Sequence, residues 1–157
     1  MPLNKEGIEQ LKADLRANAR WYNQSTFGEL VNGEECGTEC CMAGACHLRK
    51  VGAEEFTRQL DNMAKARSRR FLDEQYEVEE QFMQACIEAG AAQLGISNHY
   101  EWLPQIFAPV SDWPRDLGDA YRKASYAYDY QGMVEAACAA LDRLNDDGTI
   151  KGATRGA

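Results

Sequence analysis

Apolar residues recur along this chain at three- and four-residue steps, and no stretch alternates convincingly as a strand would. Ile8, Leu11, Leu15, Ala19 and Tyr22 make the first stripe, one face of a helix. Asn4 stands where that helix needs a side-chain cap, and Glu6 in the first turn meets the positive end of the helix dipole. Gly28, Asn32 and Gly33 break the pattern, so residues 28–37 read as a loop. Thr38 is placed to cap a second helix, which presents Cys41, Ala45 and Leu48 and ends at Gly52.

From Ala53 to Leu94 there are hardly any helix breakers. Phe56, Leu60 and Met63 form one stripe; Val78, Phe82, Cys86 and Ile87 form another. Between them, KARSRRFLDEQYEVEE sets Arg69 and Arg70 one turn before Asp73 and Glu74, which reads as a solvated helical face. Two helices broken near residues 69–74 are expected, one long bent helix being the alternative. Gly95 closes the region, and Ser97 or Asn98 can cap a short helix from Tyr100 to Phe107. The turn APVSDWP follows, with Pro114 suited to a first helical position. Leu117, Tyr121, Ala124 and Tyr128 then share a face. Asp129 caps a last helix carrying Val134, Ala137, Leu141 and Leu144, closed by Gly148. Residues 149–157 offer nothing to bury and are expected to form a flexible tail. The pattern predicts an all-α fold: one domain over residues 1–148, a compact bundle of six to seven helices without significant sheet.

Composition narrows the function classes. A chain of 157 residues is long enough for one real core. Its net charge of −8 repels phosphate backbones, which argues against general nucleic-acid binding while leaving a basic protein surface acceptable as partner. No apolar run approaches the roughly 18 residues of a membrane span. The N-terminus lacks the apolar core of a signal peptide, so a cytoplasmic location is expected. In that reducing compartment the six cysteines need not form disulfides.

Four of those cysteines fall in CGTECCMAGACH, residues 36–47, and three readings compete. A zinc-stabilised module needs four ligands. Cys40 and His47 would lie about 10 Å apart along a helix, so Cys86, Cys138 or His99 would have to be delivered by packing. A thiol-dependent activity would use Cys40 and Cys41 in the first helical turn, where the dipole favours a thiolate, with Cys36 as a resolving partner. Neither histidine is placed by spacing as its base. In the third reading Cys40, Cys41, Ala43, Gly44 and Ala45 form a face of low bulk that lets another helix approach, Gly37 frees the turn, and the thiols act as small hydrophobes. Packing alone accounts for the stretch, and Cys46 and His47 fall outside the question.

YNQSTF at 22–27 followed by CGTECCMAG at 36–44 resembles small bacterial and phage proteins of unassigned function. These carry an aromatic-Asp/Asn-Met segment before a Cys-Gly-Thr-x-x-Cys-Ile-Ala-Gly motif. LGIS at 94–97, IFAPVSDWP at 106–114, the helix of Tyr121 and Ala124, and EAACAALDRL continue the resemblance, which leaves residues 53–80 uncovered. Cys36, Gly37, Thr38, Cys41, Ala43 and Gly44 fit the motif, while Gln24 stands for the usual methionine and Met42 for isoleucine, departures that look mild for packing. The resemblance implies that Cys36 and Cys41 are the family feature and Cys40 and Cys46 extras. It supplies no catalytic role and suggests an accessory, counter-defence setting.

Aromatic residues gather late in the chain, and a groove lined by Trp102, Trp113, Tyr121 and Tyr128 is a candidate site for a ligand or partner. No phosphate-cradling glycine loop and no Ser/His/Asp arrangement is present. The sequence therefore points to a non-catalytic protein that binds a protein partner and calls for no cofactor or metal. The thiol and zinc readings are its alternatives.

Overall fold

In the computed structural model, which describes residues 2–30, 38–68, 72–97 and 103–152, Asn4 caps the first helix as its position predicts. Its Oδ1 accepts from the Gly7 amide at 3.2 Å at the start of α1 (Lys5–Ala17). That helix buries Ile8, Leu11 and Leu15, and with them Lys12. Burial works against the Lys12 charge, but hydrogen bonds to Asp142 and Glu9 more than offset it and hold the ammonium above its ordinary pKa.

A 3-10 turn (Ala19–Trp21) leads into a segment that pairs with residues far along the chain. Cys40 donates to the Trp21 carbonyl and Asn23 donates to the Cys40 carbonyl, each at 2.9 Å. Beyond it, β1 (Glu29–Leu30) pairs antiparallel with β2 (Thr38–Glu39), Glu29 opposite Glu39 and Leu30 opposite Thr38. Thr38 therefore lies in a short strand and does not cap the next helix. The N-cap of α2 (Met42–Val51) is Cys41, whose side chain makes no capping bond. The pairing of 38–39 with 29–30 delays the helix, and no local pattern carries that information. At the other end Gly52, with φ 90°, takes the left-handed C-cap position that the sequence assigns to it.

The buried side of α2 also differs from the expectation. Met42, Ala43, Cys46 and His47 face the core, whereas Ala45 and Leu48 are half-exposed. Gly44 is essential to the close approach: a Cβ there would lie 1.9 Å from the Phe27 carbonyl oxygen. α3 (Ala53–Ser68) and α4 (Leu72–Leu94) follow, the junction at residues 69–71 lying outside the described residues. Phe56 and Phe82 meet edge-on with ring centroids 5.6 Å apart. A single straight helix would separate them by about 39 Å, so α3 and α4 fold back on each other as two helices.

Residues 98–102 lie outside the description, so the expected cap at Asn98 and the start of the short helix at Tyr100 do too. Two 3-10 turns (Gln105–Phe107 and Val110–Asp112) bring the chain to α5 (Arg115–Tyr126), with Pro114 at its N-cap. Asp129 caps α6 (Tyr130–Asp142) by accepting from the Gly132 amide at 2.9 Å. The fold is all-α, with six α-helices among the described residues and only the two-residue pairing as sheet. α2 packs chiefly on α4 and α5 on α6, while α1 touches α2, α4 and α6. Phe56, Phe107, Trp113, Leu11 and Leu94 are fully enclosed, each contributing roughly 1.5–3 kcal/mol by burial.

The described part of the expected tail, residues 149–152, is docked on the fold. Ile150 is 4% exposed and bridges back to Leu144, and its amide donates to Gln105 Oε1 at 2.7 Å. A lone isoleucine in a glycine-rich stretch is too little to reveal such docking from sequence. Residues 153–157 lie outside the described residues.

Gln24 joins these parts and is 3% exposed. Its Nε2 donates to the carbonyls of Ile106 and Ala108, both at 3.0 Å. Its Oε1 accepts from the Tyr22 hydroxyl at 2.9 Å and, more weakly, from the Met42 amide at 3.5 Å. Its own amide donates to the Tyr121 hydroxyl at 3.1 Å. Gln24 is thus a bonded polar residue of the core and not a packing residue alone. A glutamine at this point closes a polar network that a thioether leaves open. Gln24→Met should therefore lower the unfolding free energy by about 3 kcal/mol, since buried carbonyls lose their donor. Urea denaturation measures this, and an unchanged midpoint would show that the network contributes nothing.

Candidate functional site

Cys40, Cys41, Cys46, Cys86 and Cys138 are free thiols, and all are buried. Cys41, at 1% exposure, shows which physical effect wins at the head of α2. Burial pushes its thiol up to about 11, and the backbone amides of Gly44 and Ala43, which favour the thiolate, recover only part of that shift. Burial pushes Cys40 higher still, with the neighbouring Cys41 and Glu39 adding to it. Cys46 and Cys86 are raised for the same first reason. An activated nucleophile needs the opposite environment, electropositive and partly exposed. Cys36 and Gly37, the proposed resolving thiol and its turn residue, lie outside the described residues. Gly44 serves the packing against Phe27 already described.

His47, set aside on spacing grounds, turns out to be a core residue. Its Nε2 lies within hydrogen-bond distance of Gln59 Oε1, at 2.7 Å. Phe56 and Phe82 flank it at 5.8 and 5.7 Å between centroids. Its Nδ1 has no partner among the described residues. No group of three or more His, Cys, Asp or Glu side chains among the described residues is arranged to hold a metal ion. His99 lies outside them.

The aromatic groove expected from Trp102, Trp113, Tyr121 and Tyr128 separates into core and surface. Trp113 is fully enclosed and meets Tyr121 edge-on at 6.1 Å. Tyr121 in turn packs at a right angle to Tyr22, 5.9 Å between centroids. Trp113 therefore backs the site without lining it, because the bend at Pro109–Pro114 turns the indole inward. Trp102 lies outside the described residues. Tyr128 is not on the α5 face with Tyr121: the helix ends at Tyr126, and Tyr128 takes φ 53° in the turn before α6. A left-handed tyrosine is uncommon and costs on the order of 1 kcal/mol.

Tyr121 and Tyr128 nevertheless meet across one recess of about 320 Å³. Ser125 and Tyr130 complete its α5–α6 wall, with Asn23 and Glu39 opposite. Asn23 Nδ2 donates to Glu39, which fixes that side. Arg20 places its guanidinium over the rings of Trp21 (4.9 Å) and Tyr130 (4.8 Å), holding the rim in place. Sequence reasoning missed Arg20, Asn23 and Glu39, since only the folding of 20–24 and 38–40 against α5 brings them here. Tyr126, at the end of α5, projects into solvent.

No protein-family model, curated protein or solved structure matches this chain. Among the described residues no helix is long and apolar enough to cross a membrane.

The raised thiols predict an alkaline instability. Above about pH 9 the unfolded chain releases the Cys41 proton while the native state keeps it until about 11. The unfolded state then binds fewer protons, so stability falls as pH rises through this window and is fully retained below it. Two pKa units correspond to about 3 kcal/mol. Urea midpoints should drop between pH 8.5 and pH 10.5, less steeply in Cys41→Ala; a flat profile contradicts the burial argument. In the same buried environment, the five thiols should react with iodoacetamide at neutral pH only after denaturation, as mass spectrometry of the alkylated protein would register.

Proposed function

We propose that this chain works by binding a protein partner, without catalysing a reaction, and that the contact is the tyrosine-bearing turn between α5 and α6. The observation that carries this reading is the exposure of two large aromatic side chains there, Tyr126 at 82% and Tyr128 at 79%. Tyr128 lines the recess whose rim Arg20 and Tyr130 hold in place. Tyrosine, tryptophan and arginine dominate the energetics of protein interfaces, and tyrosine supplies a large contact area with a polar tip at low entropic cost. Holding Tyr128 left-handed spends stability on presenting a side chain to solvent, which a surface without a partner does not require. The buried thiols support the non-catalytic half of the reading, since none is placed to act as a nucleophile at neutral pH. The accessory, counter-defence setting rests on the resemblance to bacterial and phage proteins alone.

The test is affinity capture from the native host with the wild-type chain and with Tyr126→Ser/Tyr128→Ser in parallel. The double variant alters only exposed positions and should keep its urea midpoint. A partner recovered by the wild type should be lost or weakened at least tenfold in the variant, as truncation of one interface aromatic costs about 2 kcal/mol. A partner that binds both proteins equally places the contact elsewhere, and repeated capture of nothing counts against the binding role.

A further inference from the structure

A second cavity, of about 290 Å³, opens between the end of α1, the Ala19–Trp21 turn and the outer side of α2. Its floor is apolar, formed by Leu15, Tyr22, Cys40 and Leu48, and Trp21 and Arg49 stand at its edge. An apolar cavity of about 150 Å³ accepts one benzene, so this one has room for a two-ring body. We infer that it is a binding site for a small organic carboxylate with an apolar or aromatic body, the carboxylate taken by Arg49.

The sign of the ligand follows from which edge groups have hydrogen bonds to spare. Asp14 is the one acid in the lining, and its carboxylate is already engaged. It accepts from Arg49 Nε at 2.8 Å, from Arg49 Nη2 at 3.5 Å and from Gln10 Nε2 at 3.1 Å. Arg49 has five N–H donors and directs only those two at Asp14. Its remaining N–H groups, and the indole N–H of Trp21, have no partner among the described residues. Asn18 directs its Nδ2 to the Asp14 carbonyl at 2.9 Å, leaving only its side-chain oxygen as an uncommitted acceptor. Donors thus outnumber acceptors around an apolar floor, and a planar guanidinium with free N–H groups suits a carboxylate. Asp14 holds Arg49 at the edge in advance, so binding need not order that long side chain from solution. This site shares Tyr22 with the tyrosine recess but none of its exposed tyrosines, and it does not rest on the proposed protein partner.

Three naphthalene probes of one shape separate the terms: 2-naphthoate, 2-naphthylmethanol and 2-naphthylmethylammonium, titrated by calorimetry into the full chain. 2-Naphthoate should bind one site with a Kd of about 1 mM or tighter, and the alcohol and ammonium about tenfold more weakly. Amide shifts in ¹H–¹⁵N spectra should centre on Asn18, Trp21 and Leu48, and saturating naphthoate should leave the Tyr126→Ser/Tyr128→Ser variant binding normally. Arg49→Gln, at an exposed position, should weaken naphthoate about tenfold while leaving the alcohol unchanged. Ala45→Leu should fill the cavity and abolish binding of all three; if that variant does not fold, the spectral shifts alone locate the site. The inference is overturned if naphthoate fails to bind below about 5 mM, if the ammonium binds as tightly as the carboxylate, if Arg49→Gln leaves naphthoate unaffected, or if the shifts centre elsewhere.

Discussion

The side-chain amide of Gln24 is the constraint on which the arrangement depends. A buried primary amide has two donors and a carbonyl to satisfy, and in a medium of low dielectric each unmet bond is costly. Here the donors go to the turn at Ile106 and Ala108 and the acceptor to Tyr22 and the first amide of α2, while the Gln24 backbone holds the Tyr121 hydroxyl. One residue thereby registers the N-terminal segment against α2, the 3-10 turn and α5. Apolar packing would bring these parts together without specifying their relative positions. Tyr22, oriented by its bond to Gln24, forms a wall of both the tyrosine recess and the cavity beside Arg49. The two surface sites are consequences of one internal bond pattern.

The cysteine-rich stretch illustrates a competition whose outcome depends on surroundings. At the head of a helix, backbone amides and the dipole pull a thiol toward its anion. Enclosure pulls the other way, and for Cys41 enclosure prevails. The same enclosure explains the small residues around it: Gly44 lies against the Phe27 carbonyl, and bulk at Ala43 would disturb a fully buried position. Rings and charged groups that stay open to solvent lie elsewhere, at Tyr126, Tyr128, Arg20 and Arg49.

Much of the helical frame was legible because its signals are local. Asn4 and Asp129 cap the helices they precede, Gly52 ends α2, and the stripes of α1, α3 and α6 face the core as their spacing requires. The misreadings share a different cause. Thr38 lost its capping role to a pairing with Leu30, and Ile150 docks through Gln105 and Leu144. Cys46 and His47, which the face of Cys41, Ala45 and Leu48 leaves out, belong to the core because α4 packs on α2. Trp113 went inward and Tyr128 outward because a proline bend and a left-handed turn reset the helical phase around α5.

By itself the sequence determined the all-α class, most helix limits and the apolar faces, since caps, periodicity and backbone hydrogen bonds act within about one turn of the chain. Only the tertiary structure decided which polar groups are spent and which are free. Gln24 and Gln81 are the same residue type, yet one closes the core network and the other lies on the surface of α4. Tyr121 and Tyr126 differ as sharply although both belong to α5. Their environments are set by partners tens of residues away, and a solvation energy depends on those partners rather than on the neighbours a sequence displays.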